Sequence, residues 1–423
     1  MPESADIVVV GAGAAGLMAA IWAGRTARRA GAAPRIVALD GARTLGAKIL
    51  VAGGGRCNVT HDVVRESDFA GAPRSSIRQV LARFDERETV RFFAALGVEL
   101  KREETGKLFP VTDSARTVLT ALLSAAREAG VEIAHPCRVD SVARRPDGFE
   151  VAGRFGALFA RRLILATGGM SLPKTGSDGH GYALARALGH TITPRVFPAL
   201  VPLLLVPGHP LTVLSGLTFE ARLEVRSGTG KKLTEFTGST LLTHFGLSGP
   251  AVLDISRYYL DARASDPQTM LRLSAAPGGT EADVDRCLLA PGRVGAARGL
   301  RERFGLPDRL ATALCELAGV SPGGPGHALT REERRRLVGT VAALELPVVG
   351  DRGFAHAEVT AGGVPLAELR LGTLESRAAP GLHLCGEICD VDGRIGGYNF
   401  QWAWASGFVA GTAAANAPRA GTP

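Results

Sequence analysis

Asp6-Ile7-Val8-Val9-Val10-Gly11-Ala12-Gly13-Ala14-Ala15-Gly16-Leu17-Met18-Ala19-Ala20-Ile21 decides the fold. A β-branched run leads into the G-x-G-x-x-G spacing and then into a helix-forming stretch, the order a dinucleotide-binding βαβ unit requires. Gly11 allows the tight turn, Gly13 lets a pyrophosphate approach the backbone, and Gly16 lets helix and strand pack closely. Ala14 and Ala15 open the helix, whose free N–H groups face the phosphates. The next strand, Arg35-Ile36-Val37-Ala38-Leu39, ends at Asp40. An acid there accepts hydrogen bonds from a ribose 2′-OH, which favours FAD or NAD over a 2′-phosphorylated cofactor.

Around this unit the chain reads as a soluble α/β enzyme of 423 residues, 46% hydrophobic and long enough for two or three cores. Its net charge is +8, but only 6 of the 49 basic residues are lysine and the arginines are scattered. The densest cluster, Arg331 to Arg336, contains two acids and follows Thr330, whose spacing to Glu333 is that of a capping box. It therefore reads as a helix start, and no nucleic-acid partner is expected. The apolar stretch 5–24 carries its glycines at fingerprint spacing and lacks a basic leader, so a membrane partner or export signal is not expected and the location is read as cytoplasmic. The six cysteines are dispersed, without redox or zinc spacing, and read as reduced thiols. No Cys/His cluster, HExxH motif or nucleophile elbow supports a metal site or a hydrolase.

Two further glycine-rich segments carry chemistry. Lys48 opens a stretch that runs through Gly53, Gly54, Gly55 and Arg56 to Cys57 and Asn58, a backbone-rich loop with anion-binding potential. Arg162-Leu163-Ile164-Leu165-Ala166-Thr167-Gly168-Gly169 is a buried strand that ends in a glycine pair. Segments 75–98 and 114–129 read as helices, and 131–135, 138–143, 149–152 and 156–160 as short strands. Beyond Pro194 the alternation at 217–225 and 232–237 indicates an antiparallel region, followed by helices over 280–340. The expected organisation is a discontinuous cofactor domain, 1–193 with 350–423, a β-rich insertion, 194–279 with 341–349, and a helical subdomain, 280–340. Near the end, a strand stops at Gly386-Glu387, and Gly396-Gly397-Tyr398-Asn399 opens an Ala-rich helix from Trp402 to about Ala414. The acid suits a ribityl hydroxyl. The dipole of a helix starting near Gly397 suits the negative charge a flavin gains on reduction.

Taken together, Asp6–Ala20, Gly46–Thr60, Ala166–Gly189, Thr243–Pro250, Thr360–Val364 and Gly381–Gly411 resemble the BaiN/YhiN-like flavoproteins, which include aminoacetone-oxidase-type enzymes. The resemblance spans nearly the whole chain. It implies non-covalent FAD in a Rossmann-like domain of the two-dinucleotide-binding-domain type, with inserted β-barrel and helical subdomains. His180 stands where many relatives are expected to carry an acid, while Glu387 matches them. Tyr398, Asn399 and His244 are the residues expected to meet a small-molecule substrate. With one nucleotide fingerprint and no second, the reading leans to oxidation of a small amine or activated C–H, with electrons passing to oxygen. The alternatives are an ene-reductase fed by external NAD(P)H, or an RNA-associated or non-catalytic flavoprotein.

Overall fold

The computed structural model describes residues 3–290 and 294–416. The parts of the expected domains at 1–2, 291–293 and 417–423 lie outside them. The chain forms two compact units: one from the two ends, Met1–Pro198 and Glu358–Pro423, and one from Ala199–Ala357.

The first unit is built on a sheet whose centre is parallel. Strand β1 (Ser4–Val10) is followed by helix α1 (Ala14–Arg29) and strand β2 (Ile36–Leu39). Helix α2 (Ala47–Val51) comes next, then helix α3 (Ala115–Glu128) and strand β3 (Val131–Ala134). Strand β4 (Gly156–Leu165), helix α4 (His180–Ala187), strand β5 (Leu382–Leu384) and helix α5 (Tyr398–Asn416) complete the frame. The strands lie in the order β5-β4-β1-β2-β3. Their apolar runs are near continuous because helices cover both faces of such a sheet; Val8 and Val9 are fully buried.

The register sets Val10 beside both Leu39 and Leu165, and Leu165 beside Leu384. Gly11, Asp40, Ala166 and Cys385, each the next residue along, therefore share one edge of the sheet. β1 and β4 are neighbours across the point where the strand order reverses, which is where open α/β sheets bind ligands. Helix α1 ends with Arg28 and Arg29, whose charges complement the negative end of its dipole. It packs against α5 at van der Waals closeness: a Cβ added at Gly411 would lie 2.0 Å from the Ala19 carbonyl oxygen.

Three local readings change. Segment 75–98 is two helices, Arg74–Leu81 and Glu86–Ala95, because the Asp85 carboxylate accepts the Glu88 N–H at 2.8 Å and starts a second helix. The two strands expected at 156–160 and 162–169 are the single strand β4, paired on one side with Gly148–Gly153 and on the other with β1. The glycine loop after Gly46 contains α2 and a tight turn at Ala52–Gly55.

The second unit is a seven-stranded antiparallel sheet with helices. The strands run in the order 344–346, 270–274, 218–226, 232–243, 246–248, 203–205, 348–351. The two edge strands are separated in sequence by Pro347 alone, so the sheet curls until its edges meet, as a barrel does. The helices Glu281–Leu289, Ala296–Phe304, Asp308–Leu317 and Arg331–Ala342 share one apolar cluster with the sheet. Thr330 and Glu333 form the capping box: the Glu333 N–H donates to Thr330 Oγ1 at 3.2 Å, and the Thr330 N–H to Glu333 Oε2 at 2.9 Å. Among the described residues, no helix is long and apolar enough to cross a membrane.

Candidate functional site

The glycines of the first turn have different physical reasons. Gly11 has φ +96°, and a Cβ there would sit 2.4 Å from the Ala166 carbonyl oxygen. A Cβ at Gly16 would lie 1.8 Å from the Gly11 carbonyl oxygen, so this glycine is demanded by packing. Gly13 caps α1 with φ −77°, and a Cβ there would meet nothing within 4 Å. Packing therefore leaves open space in front of Gly13, at the helix N-terminus. Asp40 braces this turn: its Oδ2 accepts the Ala12 N–H at 2.7 Å and its Oδ1 the Ala42 N–H at 2.8 Å. A carboxylate offers about four acceptor positions, so each oxygen keeps one for a ribose hydroxyl.

On the same edge a polar cluster gathers around Glu387. Lys48 Nζ donates to Glu387 Oε2 at 2.5 Å and to Ser171 Oγ at 2.6 Å. Glu387 Oε1 accepts the Ser171 hydroxyl at 2.9 Å and the Thr360 N–H at 2.7 Å. Thr360 Oγ1 in turn accepts the N–H groups of Met170 and Ser171 at 2.7 and 3.0 Å. Among the described residues three of the carboxylate's acceptor positions are taken and one remains, which suits a single ribityl hydroxyl. Gly169 is small for this cluster, since a Cβ there would lie 2.5 Å from Thr360 Oγ1. Gly168 has φ +72°, and the preceding Thr167 Oγ1 is buried without a hydrogen-bond partner among the described residues. Gly386, with φ +80°, donates its N–H to Ser406 Oγ at 2.9 Å.

The triple-glycine turn is left-handed throughout: φ is +58° at Gly53, +68° at Gly54 and +85° at Gly55. Cys57 shares that conformation at φ +61° although it has a side chain, a strain of the kind that collects at functional sites. It is fully buried, and burial pushes its thiol up to about 12, so it is not a reactive thiolate at neutral pH. Arg56 turns to its own neighbours. Its Nη1 lies 2.7 Å from Glu103 and 3.6 Å from Asp113, and its guanidinium stacks 4.0 Å over Phe109. Asn58 is buried with its Oδ1 unpartnered among the described residues.

At the start of α5, the buried Tyr398 ring stacks on His61 at 4.9 Å and meets Phe69 edge-on at 6.1 Å. Asn399 anchors the preceding loop: its Oδ1 accepts the Gly393 N–H at 2.8 Å, and its Nδ2 donates to the Gly393 carbonyl at 2.9 Å. Gly397 has φ +98°, and its Cα lies so near Thr60 that a Cβ would fall 2.6 Å from the Thr60 carbonyl. His180 bonds the Asp140 carbonyl at 3.0 Å through its ring. His244 lies in the second unit, exposed, in the turn between strands 232–243 and 246–248, against Phe245.

Sequence reasoning did not single out Ser171, Thr360 or Gln401. Ser171 and Thr360 do fall inside the Ala166–Gly189 and Thr360–Val364 stretches that carry the resemblance. Gln401 joins elements far apart in sequence: its Oε1 accepts the Thr60 and Thr89 hydroxyls at 2.7 and 2.8 Å, and its Nε2 donates to the Phe84 carbonyl at 2.8 Å.

An open cradle at a helix N-terminus, a braced acid after the second strand and a carboxylate with one free acceptor position fit a bound FAD. Fold and site thus define an FAD-dependent oxidoreductase with a Rossmann-type cofactor domain. The chain belongs to the family described as HI0933-like protein Rossmann domain, which matches residues 5–413. It is 36% identical over 420 residues to the 3-dehydro-bile acid delta(4,6)-reductase of Clostridium scindens, covering 97% of this chain and 99% of that protein. It is 32% identical over 411 residues to the ribosomal RNA dihydrouridine synthase of Escherichia coli, covering 96% and 97%. Among solved structures, the 3-ketosteroid delta1-dehydrogenase of Sterolibacterium denitrificans is similar over 98% of this chain and 100% of that one, at 13% identity and a TM-score of 0.47.

Proposed function

We propose that this enzyme reduces a carbon–carbon double bond conjugated to a carbonyl, with NAD(P)H as external reductant and a small molecule as substrate. The observation that supports it is the pair of relatives at 36% and 32% identity: both names describe addition of hydrogen across such a bond, in a dienone and in a uracil ring. The amine-oxidising direction rested on the lone nucleotide fingerprint. That feature does not decide direction, because a nicotinamide can reduce a flavin without a domain of its own.

Bound FAD supplies the hydride. The rest falls to the chain. Gly13, Ala14, Ala15 and Gly16 hold the pyrophosphate on the N-terminus of α1, and Asp40 takes the ribose. Glu387, oriented by Lys48, Ser171 and Thr360, would take a ribityl hydroxyl. The N–H groups of the first turn of α5, after Gly397, would favour negative charge on a ring system placed against them. Tyr398 is assigned the proton for the carbon next to the substrate carbonyl.

Anaerobic stopped-flow tests the direction. Oxidised enzyme mixed with NADH or NADPH is expected to bleach rapidly and to recover colour on addition of a steroid dienone or another conjugated enone. Rapid bleaching by aminoacetone, with none by either nicotinamide, would overturn the proposal. The relative that acts on ribosomal RNA, together with a net charge of +8, supports a second reading in which the double bond belongs to a uridine in RNA. Salt-sensitive retention of the enzyme on RNA, and recovery of colour with RNA but not with the enone, would select it.

A further inference from the structure

We propose that the side-chain amide of Asn58 reads the imide edge of the flavin ring, accepting from its N3–H and donating to its C4 carbonyl. This rests on FAD as the bound cofactor and gives one residue a definite partner on it.

Asn58 is 8% exposed, and its Oδ1 is buried with no hydrogen-bond partner among the described residues; no hydrogen bond from Nδ2 is described either. Leaving such an acceptor unpaired in a protein interior is unfavourable, and native structures rarely do so without a ligand or water to fill the place. The surrounding chain is built to fix this residue. On one side stands the left-handed glycine turn, where a Cβ at Gly53 would lie 3.0 Å from the Asn58 amide nitrogen. Immediately before it is Cys57, held at φ +61°. On the other side, the Val59 N–H donates to the Leu108 carbonyl at 2.9 Å, and the Val59 carbonyl accepts the Trp404 indole N–H at 2.8 Å. Thr60 abuts Gly397 and bonds Gln401, so Asn58 stands two residues from the contact with the first turn of α5.

The order of groups then matches. Along its pyrimidine ring a flavin presents acceptor, donor, acceptor: C2 carbonyl, N3–H, C4 carbonyl. The N–H groups at the start of α5 supply donors, Asn58 Oδ1 supplies an acceptor, and Nδ2 supplies a second donor. The unpaired Oδ1 calls for a ligand donor, and N3–H is the only one on that edge.

The test compares binding of FAD with binding of FAD methylated at N3, which lacks the donor. Flavin fluorescence and absorption serve as readouts, on full-length apoprotein. Wild type is expected to prefer FAD by about tenfold or more, the effect of one hydrogen bond to an otherwise unpaired buried group. In Asn58→Ala and Asn58→Ser the preference is expected to collapse towards unity, with a shift in the long-wavelength flavin band. A wild-type enzyme that binds both flavins equally, or the same preference in the variants, would overturn the proposal. The wild-type ratio decides even where a variant fails to fold. Failure of wild type to bind either flavin would instead strike the cofactor reading itself.

Discussion

Gly13 and Gly16 look alike in the fingerprint but differ in what a side chain would meet. At Gly13 the backbone is ordinary and the space empty, so Gly13→Leu is expected to fold with a near-normal melting temperature yet to lose bound FAD, as a flavin-to-protein ratio would show. At Gly16 even a methyl group overlaps the Gly11 carbonyl, and Gly16→Ala is expected to destabilise the protein by about 1–3 kcal/mol or more, measured by denaturant unfolding. Retention of FAD by Gly13→Leu would mean that the space in front of α1 is not the pyrophosphate site. Cys57 gives a pH prediction. Burial lifts its thiol to about 12, against about 8.5 on an unfolded chain. The folded state keeps the proton longer, so its contribution to stability is whole below about 8.5 and is lost as pH rises through about 12. At pH 8 iodoacetamide is expected to spare Cys57 in the native enzyme and to label it after unfolding.

At the scale of elements, α5 ties the first unit together through one buried amide and two close helix contacts. Gln401→Leu leaves the Thr60 hydroxyl and the Phe84 carbonyl without this partner, while the Thr89 hydroxyl keeps its bond to the Asp85 carbonyl. A loss of about 1–3 kcal/mol per group bounds the effect, and thermal unfolding should register a marked drop. Lys48→Met is expected to weaken FAD retention and lower the melting temperature by stranding the Glu387 carboxylate. Adding Glu387→Gln to it should restore part of the stability but not the flavin, since the two residues act on one interaction. How much of this was legible follows from sequence distance. The β1–α1 turn could be read because its glycines, strand and helix are contiguous. Asp40 could be read because strand ends carry acids at a known remove. Glu387 was legible as a strand-end acid, but its partners Lys48, Ser171 and Thr360 stand far from it along the chain, and no local pattern announces them. Asn399 occupies the expected helix start, yet only coordinates reveal that its amide holds the Gly393 loop. The break in 75–98 was hidden because the helical period continues across Asp85, whose capping role depends on its side-chain direction.

For the whole molecule, all the residues assigned to FAD belong to the first unit. Saturating FAD is therefore expected to slow amide hydrogen exchange in peptides covering 11–16, 46–60 and 385–401, while 199–357 changes little. At a hundredfold excess over the dissociation constant, linkage allows about 2.7 kcal/mol of added protection. Equal slowing in both units would contradict a cofactor site built by the first unit.

The nesting of the two units also dictates an order of events on the ribosome. Strand 203–205 pairs with 348–351, so the sheet of the second unit cannot close until its last strand has been synthesised. By then α1 has long since emerged, but α5, which covers it at Ala15 and Ala19, has not. The nascent chain thus carries the fingerprint turn uncovered through most of translation, with the inserted unit complete first. Flavin capture has to wait for the second arm of the first unit, because Glu387 and the first turn of α5 are among the last parts of the site to be made.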